Sequence, residues 1–344
     1  MRIGVMTGGG DCPGLNAVVR AVARKAEWDY GDNLLGFMSG WTGVRAGNYV
    51  VVDVESMRGT LPRGGTVLGS SRSTPELYEG GLEEARDTLA RLDVDALITI
   101  GGDGTLGAAH HLAGLGVNIV GVPKTIDNDI AGTECTFGFN TAVQIATDAI
   151  DRLHTTAESH DRVMVVEVMG RSVGHVAVRA GIAGGATLIL VPEKPFDIVD
   201  VCDRISLRHT RNRFASIVVV AEGAEPIDPD SMPAVQRGVD LWGNPKIGGM
   251  GDAVAAAIET RTGFESRVTV LGHVQRGGTP TAYDRVLATR FGIAAIDACH
   301  DGDFGSMVAL VSDEIMTVSL DDVVGLVRPI PESLYEVAAV FFPR

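Results

Sequence analysis

Residues 96–105 read Ala-Leu-Ile-Thr-Ile-Gly-Gly-Asp-Gly-Thr. An apolar strand runs straight into a glycine turn that carries one carboxylate. Gly101, Gly102 and Gly104 let the backbone approach a phosphate with no side chain in the way. Asp103 can hold a divalent cation there, and a helix expected from Thr105 would aim its N-terminal amides at the same anion. A second expected strand, Ile119 to Val122, ends in Pro-Lys-Thr-Ile-Asp-Asn-Asp at 123–129. Its two carboxylates are expected on the same edge of the sheet. A phosphate cradle, a metal carboxylate and a candidate base together imply phosphoryl-transfer chemistry.

Working outward, the first strand (2–6) also ends in glycines, Thr7-Gly8-Gly9-Gly10-Asp11-Cys12-Pro13-Gly14. No Gly-Lys-Ser/Thr follows, so the Walker spacing is absent, and the Rossmann spacing fits poorly. Two such turns at neighbouring strand ends converge on one crevice. Further strands are expected at 94–100, 163–168, 187–191, 216–221, 267–272 and 306–311. Many are unbroken Val/Ile/Leu runs, the pattern of parallel strands covered on both faces. Helical patterns lie at 14–26, 141–153 and 252–261, and the charged pairs of 82–93 read as a solvated helix face. The expectation is an α/β fold: two similar, doubly wound, three-layer lobes with mainly parallel sheets and the active site in the cleft between them. One lobe is expected at 1–138 plus about 275–325, the other at 139–274 plus about 326–344. Residues 224–249, rich in Pro, Gly and Asp, read as an insertion or long surface loop.

Composition narrows the class. The 344 residues are 45% hydrophobic and 21% charged, with mean hydropathy +0.17, as expected of a well-buried enzyme in two domains. A net charge of −15 argues against nucleic acid or an anionic membrane as partner. An anionic substrate stays possible where arginines cluster locally. Cys12, Cys135, Cys202 and Cys299 show no paired spacing, which favours reduced thiols in a cytoplasmic protein. The chain enters a strand at Arg2, so no leader is expected, and no apolar run approaches the roughly 18–20 residues of a membrane span.

The Gly-Gly-Asp-Gly-Thr pentad also occurs in NAD kinases and diacylglycerol-type lipid kinases. The 123–129 segment decides between these families. Together with Val-Met-Gly-Arg at 168–171 and Leu-Gly-His-Val-Gln-Arg-Gly-Gly at 271–278, it closely resembles the 6-phosphofructokinase family, of the bacterial A-type and its mixed ATP/pyrophosphate subgroup. The resemblance runs from Thr7 through Arg285. It implies that Asp127 is the catalytic base toward the sugar's 1-hydroxyl, Asp103 the Mg2+ residue and Asp129 an aid to the metal or the loop. Thr125 would bond the transferring group, and Arg72 and Arg171 would stabilise its charge. Gly10, Arg72, Ser73, Gly102, Asp103, Gly104 and Thr105 match the phosphoryl-donor site.

On the sugar-phosphate side the resemblance implies Thr125, Ile126, Asp127, Met169, Gly170 and Arg171, with Glu222 accepting from sugar hydroxyls. His273, Val274, Gln275 and Arg276 join them, His273 and Arg276 on the 6-phosphate. Arg162 and Arg267 match arginines that a neighbouring subunit supplies, so a homo-oligomer, a tetramer, is expected. Read from spacing alone, His273 is a satisfied core histidine and the two arginines ordinary strand starts. The remaining histidines, His175 among them, match nothing.

The donor rests on two positions. In the family, Asp and Lys at the places of Gly104 and Lys124 mark pyrophosphate users, and glycine at both marks ATP users. This chain pairs Gly104 with Lys124. A carboxylate at 104 would repel the donor's α-phosphate, so ATP is the expected donor and pyrophosphate the alternative. The activity implied is Mg2+-dependent conversion of fructose 6-phosphate to fructose 1,6-bisphosphate in glycolysis. An NAD- or lipid-kinase-like enzyme sharing only the pentad is the more distant alternative.

Overall fold

A computed structural model describes residues 1–211, 215–235 and 248–344. In chain order the elements are β1 (Arg2–Thr7), α1 (Leu15–Lys25), β2 (Asn33–Phe37), α2 (Trp41–Ala46), β3 (Tyr49–Val52), α3 (Gly81–Arg91), β4 (Ala96–Gly101) and α4 (Asp103–Gly114). Next come β5 (Ile119–Thr125), β6 (Phe137–Gly138), α5 (Phe139–His160), β7 (Val163–Val168), α6 (His175–Ala183), β8 (Leu188–Leu190), α7 (Ile198–Thr210) and β9 (Ser216–Ala221). The last are α8 (Met250–Thr262), β10 (Ser266–Val270), α9 (Ala282–Asp301), β11 (Ser306–Val311), β12 (Glu314–Ser319) and α10 (Glu332–Ala339). They form two compact units, Met1–Thr141 with Arg276–Val327, and Ala142–Gln275 with Arg328–Arg344.

The first unit carries an eight-stranded sheet, ordered β12-β11-β5-β4-β1-β2-β3 with β6 beside β5. Its centre is parallel, and only the edge strands β3 and β12 run antiparallel to their neighbours. Every residue of β4 is buried, as its unbroken apolar run requires. One face packs Met6, Leu97 and Ile119 against Trp41, Leu89, Leu106 and Leu112 of α2, α3 and α4. Each such aliphatic side chain contributes about 1.5–3 kcal/mol on burial. Helices α1 and α9 pair with each other, and α9 lies along β4, β5 and β11.

The second unit holds a four-stranded parallel sheet among the described residues, ordered β10-β7-β9-β8. Val163, Val165, Val218 and Val220 meet Ile198, Val201 and Ile205 of α7 and Val254 and Ile258 of α8, while α6 lies on β8 and β9. The fold is thus α/β with a mostly parallel, mixed sheet and helices. No helix of the described residues is long and apolar enough to cross a membrane. Within the 224–249 stretch, residues 236–247 lie outside the described residues.

Several elements differ from the expectation. Helix α4 starts at Asp103 rather than Thr105, because the amides of Thr105 and Leu106 both bond to Gly102 O and make that residue the cap. Strands β2, β3, β6 and β12 and helices α2, α6, α7, α9 and α10 had no expected counterpart. β2 is interrupted by Gly36 and β12 alternates polar residues at a sheet edge, so neither shows an unbroken apolar run.

Candidate active site

Three parallel strands end side by side. Register pairs Thr7 with Ile100 and Gly101 with Pro123, so the glycine turns after β1 and β4 and the loop after β5 leave one edge of the sheet as neighbours. Gly8 N donates to Ile100 O at 2.9 Å and Gly9 N to Ser71 O at 2.9 Å, while the Ser70 hydroxyl donates to Gly9 O. The 70–73 loop that carries Arg72 and Ser73 therefore lies along the first glycine turn. Ser73 is buried and its hydroxyl donates to Tyr78 Oη at 3.0 Å. Gly101 is glycine for a packing reason: a Cβ there would lie 2.2 Å from Thr105 Cβ, and Thr105 is buried.

Lys124 is buried to 3% exposure, and its Nζ donates to Gly10 O. Burial holds the ammonium below the ordinary lysine range, and the nearby Arg276 cation acts in the same sense, while Asp127 and Asp11 pull the other way. Asp127, 4% exposed, donates its amide to Thr125 Oγ1 at 3.0 Å, yet its own Oδ1 is buried without a hydrogen-bond partner. Asn128 takes a left-handed backbone (φ 57°), pinned by Thr136 N donating to its Oδ1 at 2.9 Å. This kink turns the chain immediately after Asp127. A carboxylate oxygen left unpaired in a buried setting is costly unless a ligand completes it.

Asp103 is exposed at the first turn of α4, with Oδ1 accepting from Gly325 N at 3.3 Å. Among the described residues no group of three or more acidic, His or Cys side chains could cage a metal. A single exposed carboxylate would suit Mg2+, a hard cation that takes few protein ligands and keeps several of its waters. The residues present would fit such a cation arriving with a phosphate ligand. Arg276 belongs to the first unit and lies against Gly10, with Nη1 donating to Asp11 O at 3.5 Å.

In the second unit, Val168 pairs with Ala221, which places Glu222 beside the loop Met169–Arg171. Glu222 Oε1 accepts from Gly170 N at 3.3 Å and Arg171 N at 3.0 Å. Arg171 has a left-handed backbone (φ 51°), a conformation costing about 1 kcal/mol or more that those two bonds help hold. Met169 N donates to Gln275 Oε1 at 3.3 Å, and Gln275 is fully buried. His273 and Val274 stand exposed on the same short 3-10 turn, so His273 is not the buried histidine that spacing alone suggested.

Arg162 and Arg267 come together through a residue that the sequence reading missed. Glu265 pairs with Arg162 at 2.9 Å and with Arg267. Hydrogen bonding to Arg162, then the charges of Arg162 and Arg267, hold its carboxyl below the usual range. Its signal was available: positions 265 and 267 share one side of a strand start.

The family model described as Phosphofructokinase matches residues 2–299. The chain belongs to the phosphofructokinase family, whose members are phosphotransferases. It is 56% identical over 343 residues, 99% of this chain and 100% of the other, to the pyrophosphate–fructose 6-phosphate 1-phosphotransferase of Streptomyces coelicolor. An ATP-dependent 6-phosphofructokinase 3 of the same organism is 51% identical, covering 97% and 98% of the two chains. Among solved structures, Pichia pastoris phosphofructokinase in the T-state matches with TM-score 0.83 and 31% identity, covering 99% of this chain and 36% of that longer one.

Proposed function

We propose that the protein transfers the γ-phosphoryl group of ATP, with Mg2+, to the 1-hydroxyl of fructose 6-phosphate, yielding fructose 1,6-bisphosphate in glycolysis. The observation that carries this reading is the buried, unpartnered Oδ1 of Asp127 at the end of β5, one strand away from the Gly101–Gly104 turn. Asp127 would take the hydroxyl proton as that oxygen attacks phosphorus. Thr125, Arg72 and Arg171 would hold the transferring group, and Gly10, Ser73 and residues 102–105 the rest of the donor. Mg2+, held by Asp103, would neutralise the charge of the donor's phosphates. Met169–Arg171, Glu222 and the 273–276 turn would bind the sugar phosphate, with Ile126 beside Asp127. In this reading the first unit carries the donor residues, and the second unit most of the sugar residues. Arg162 and Arg267 would serve a neighbouring subunit's site in a homotetramer in the cytoplasm.

ATP is preferred because Gly104 presents no side chain: a Cβ there would meet open space among the described residues, room that a nucleotide's α-phosphate can use. Pyrophosphate is the second reading, favoured by Lys124 and by the pyrophosphate-named relative's higher identity of the two cited. Side-by-side assays with ATP and pyrophosphate separate them, and turnover with pyrophosphate alone overturns the first. Asp127→Ser should lower kcat by on the order of 10²–10⁴ with fructose 6-phosphate binding retained. Undiminished turnover in that variant removes Asp127 as base.

A further inference from the structure

Gly10 ends the first glycine turn without needing glycine's backbone freedom, since it is absent from the residues with positive φ, unlike Gly9 and Gly14. What excludes a side chain there is Arg276. A Cβ on Gly10 would lie 1.9 Å from Arg276 Nη1, 2.9 Å from Cζ and 3.3 Å from Nη2. The guanidinium thus rests on the Gly10 Cα. Arg276 Nε is buried without a hydrogen-bond partner, so the shape of this seat, more than a polar clamp at Nε, sets where the group lies. Lys124 reaches the same residue and donates to Gly10 O. Two cations therefore meet at one residue of the donor turn.

We infer that residue 10 is glycine to seat the Arg276 guanidinium, which makes Gly10 a positioning residue for the sugar 6-phosphate as well as part of the donor turn. This rests on the proposed role of Arg276 as a 6-phosphate ligand. The three atoms nearest a methyl group at 10 all belong to the far end of a flexible side chain, so the fold survives while the cation moves. Going from 1.9 Å to the 3.4 Å of ordinary contact displaces it by about 1.5 Å. Misplacement on that scale costs roughly 10- to 100-fold in a positioned contact.

The test compares Gly10→Ala, Arg276→Ala and the double variant by steady-state kinetics in each substrate and by calorimetric titration of fructose 6-phosphate without donor. Gly10→Ala should raise the Kd for fructose 6-phosphate, titrated without donor, and its KM roughly 10- to 100-fold, whatever it does to the donor KM. The double variant should then bind no worse than Arg276→Ala alone. If Arg276→Ala weakens sugar binding while Gly10→Ala changes only the donor KM, the inference falls and the role of Arg276 stands. If Arg276→Ala leaves fructose 6-phosphate binding intact, the role of Arg276 itself fails. Should Gly10→Ala unfold, restored folding in the double variant supports the seat, and unfolding in both backgrounds overturns it.

Discussion

At Gly104 the first turn of α4 offers room: a Cβ built there meets no described atom within 4 Å, and the backbone is helical. Packing therefore does not impose glycine, unlike at Gly101, where Thr105 does. Gly104→Asp should fold normally, because an acidic residue in the first turn of a helix is favourable. It should lower kcat/KM for ATP by roughly 100-fold or more, since one removed or opposed charge contact in such a site is worth about 3 kcal/mol. Initial rates at matched ATP and pyrophosphate concentrations check this, and unchanged use of ATP sinks the steric and charge account of donor choice. The same scale shows how a carboxylate can serve a cationic site. Glu265 holds two guanidiniums that would otherwise repel each other, and both remain partly exposed.

Helix α6 begins at His175, which is 1% exposed and donates through Nε2–H to Arg328 O at 3.1 Å. Burial lowers its pKa from 6.5 to about 4, with the Arg328 and Arg179 charges adding to the shift against the Arg328 carbonyl contact. The folded chain therefore keeps His175 neutral while the unfolded chain protonates it first. Its contribution is intact above pH 6.5 and is lost as pH falls toward about 4, to a total of about 3 kcal/mol. Urea unfolding at stepped pH should show this fall, and His175→Gln should flatten it; an equal slope in that variant contradicts the assignment. Helix α9 shows why an element can escape a pattern search. Its buried face mixes Leu287 and Phe291 with Ala288, Gly292 and Ala295, and a Cβ on Gly292 would lie 2.6 Å from Val18 O. Close approach to α1, rather than bulk apolar content, defines that face.

Over the whole molecule a net charge of −15 opposes anionic substrates, yet cations gather locally, Lys124 with Arg276 at Gly10 and Arg162 with Arg267 at Glu265. The fold class was legible in the chain because central parallel strands must be apolar on both faces and must end in turns. β4, β7 and β9 announce themselves by that run, and β2, β3 and β12 at or near a sheet edge do not. By itself, then, the sequence determined the strand–turn–helix grammar and which carboxylates and glycines stand at strand ends, since those follow from neighbours only a few residues apart. Tertiary structure alone decided what touches them: the buried ammonium of Lys124 on Gly10 O, the unpartnered oxygen of Asp127, and an arginine 265 residues from Asp11 seated on the first turn. Such contacts depend on strand order and register, which bring distant residues to one edge, and no local pattern encodes them.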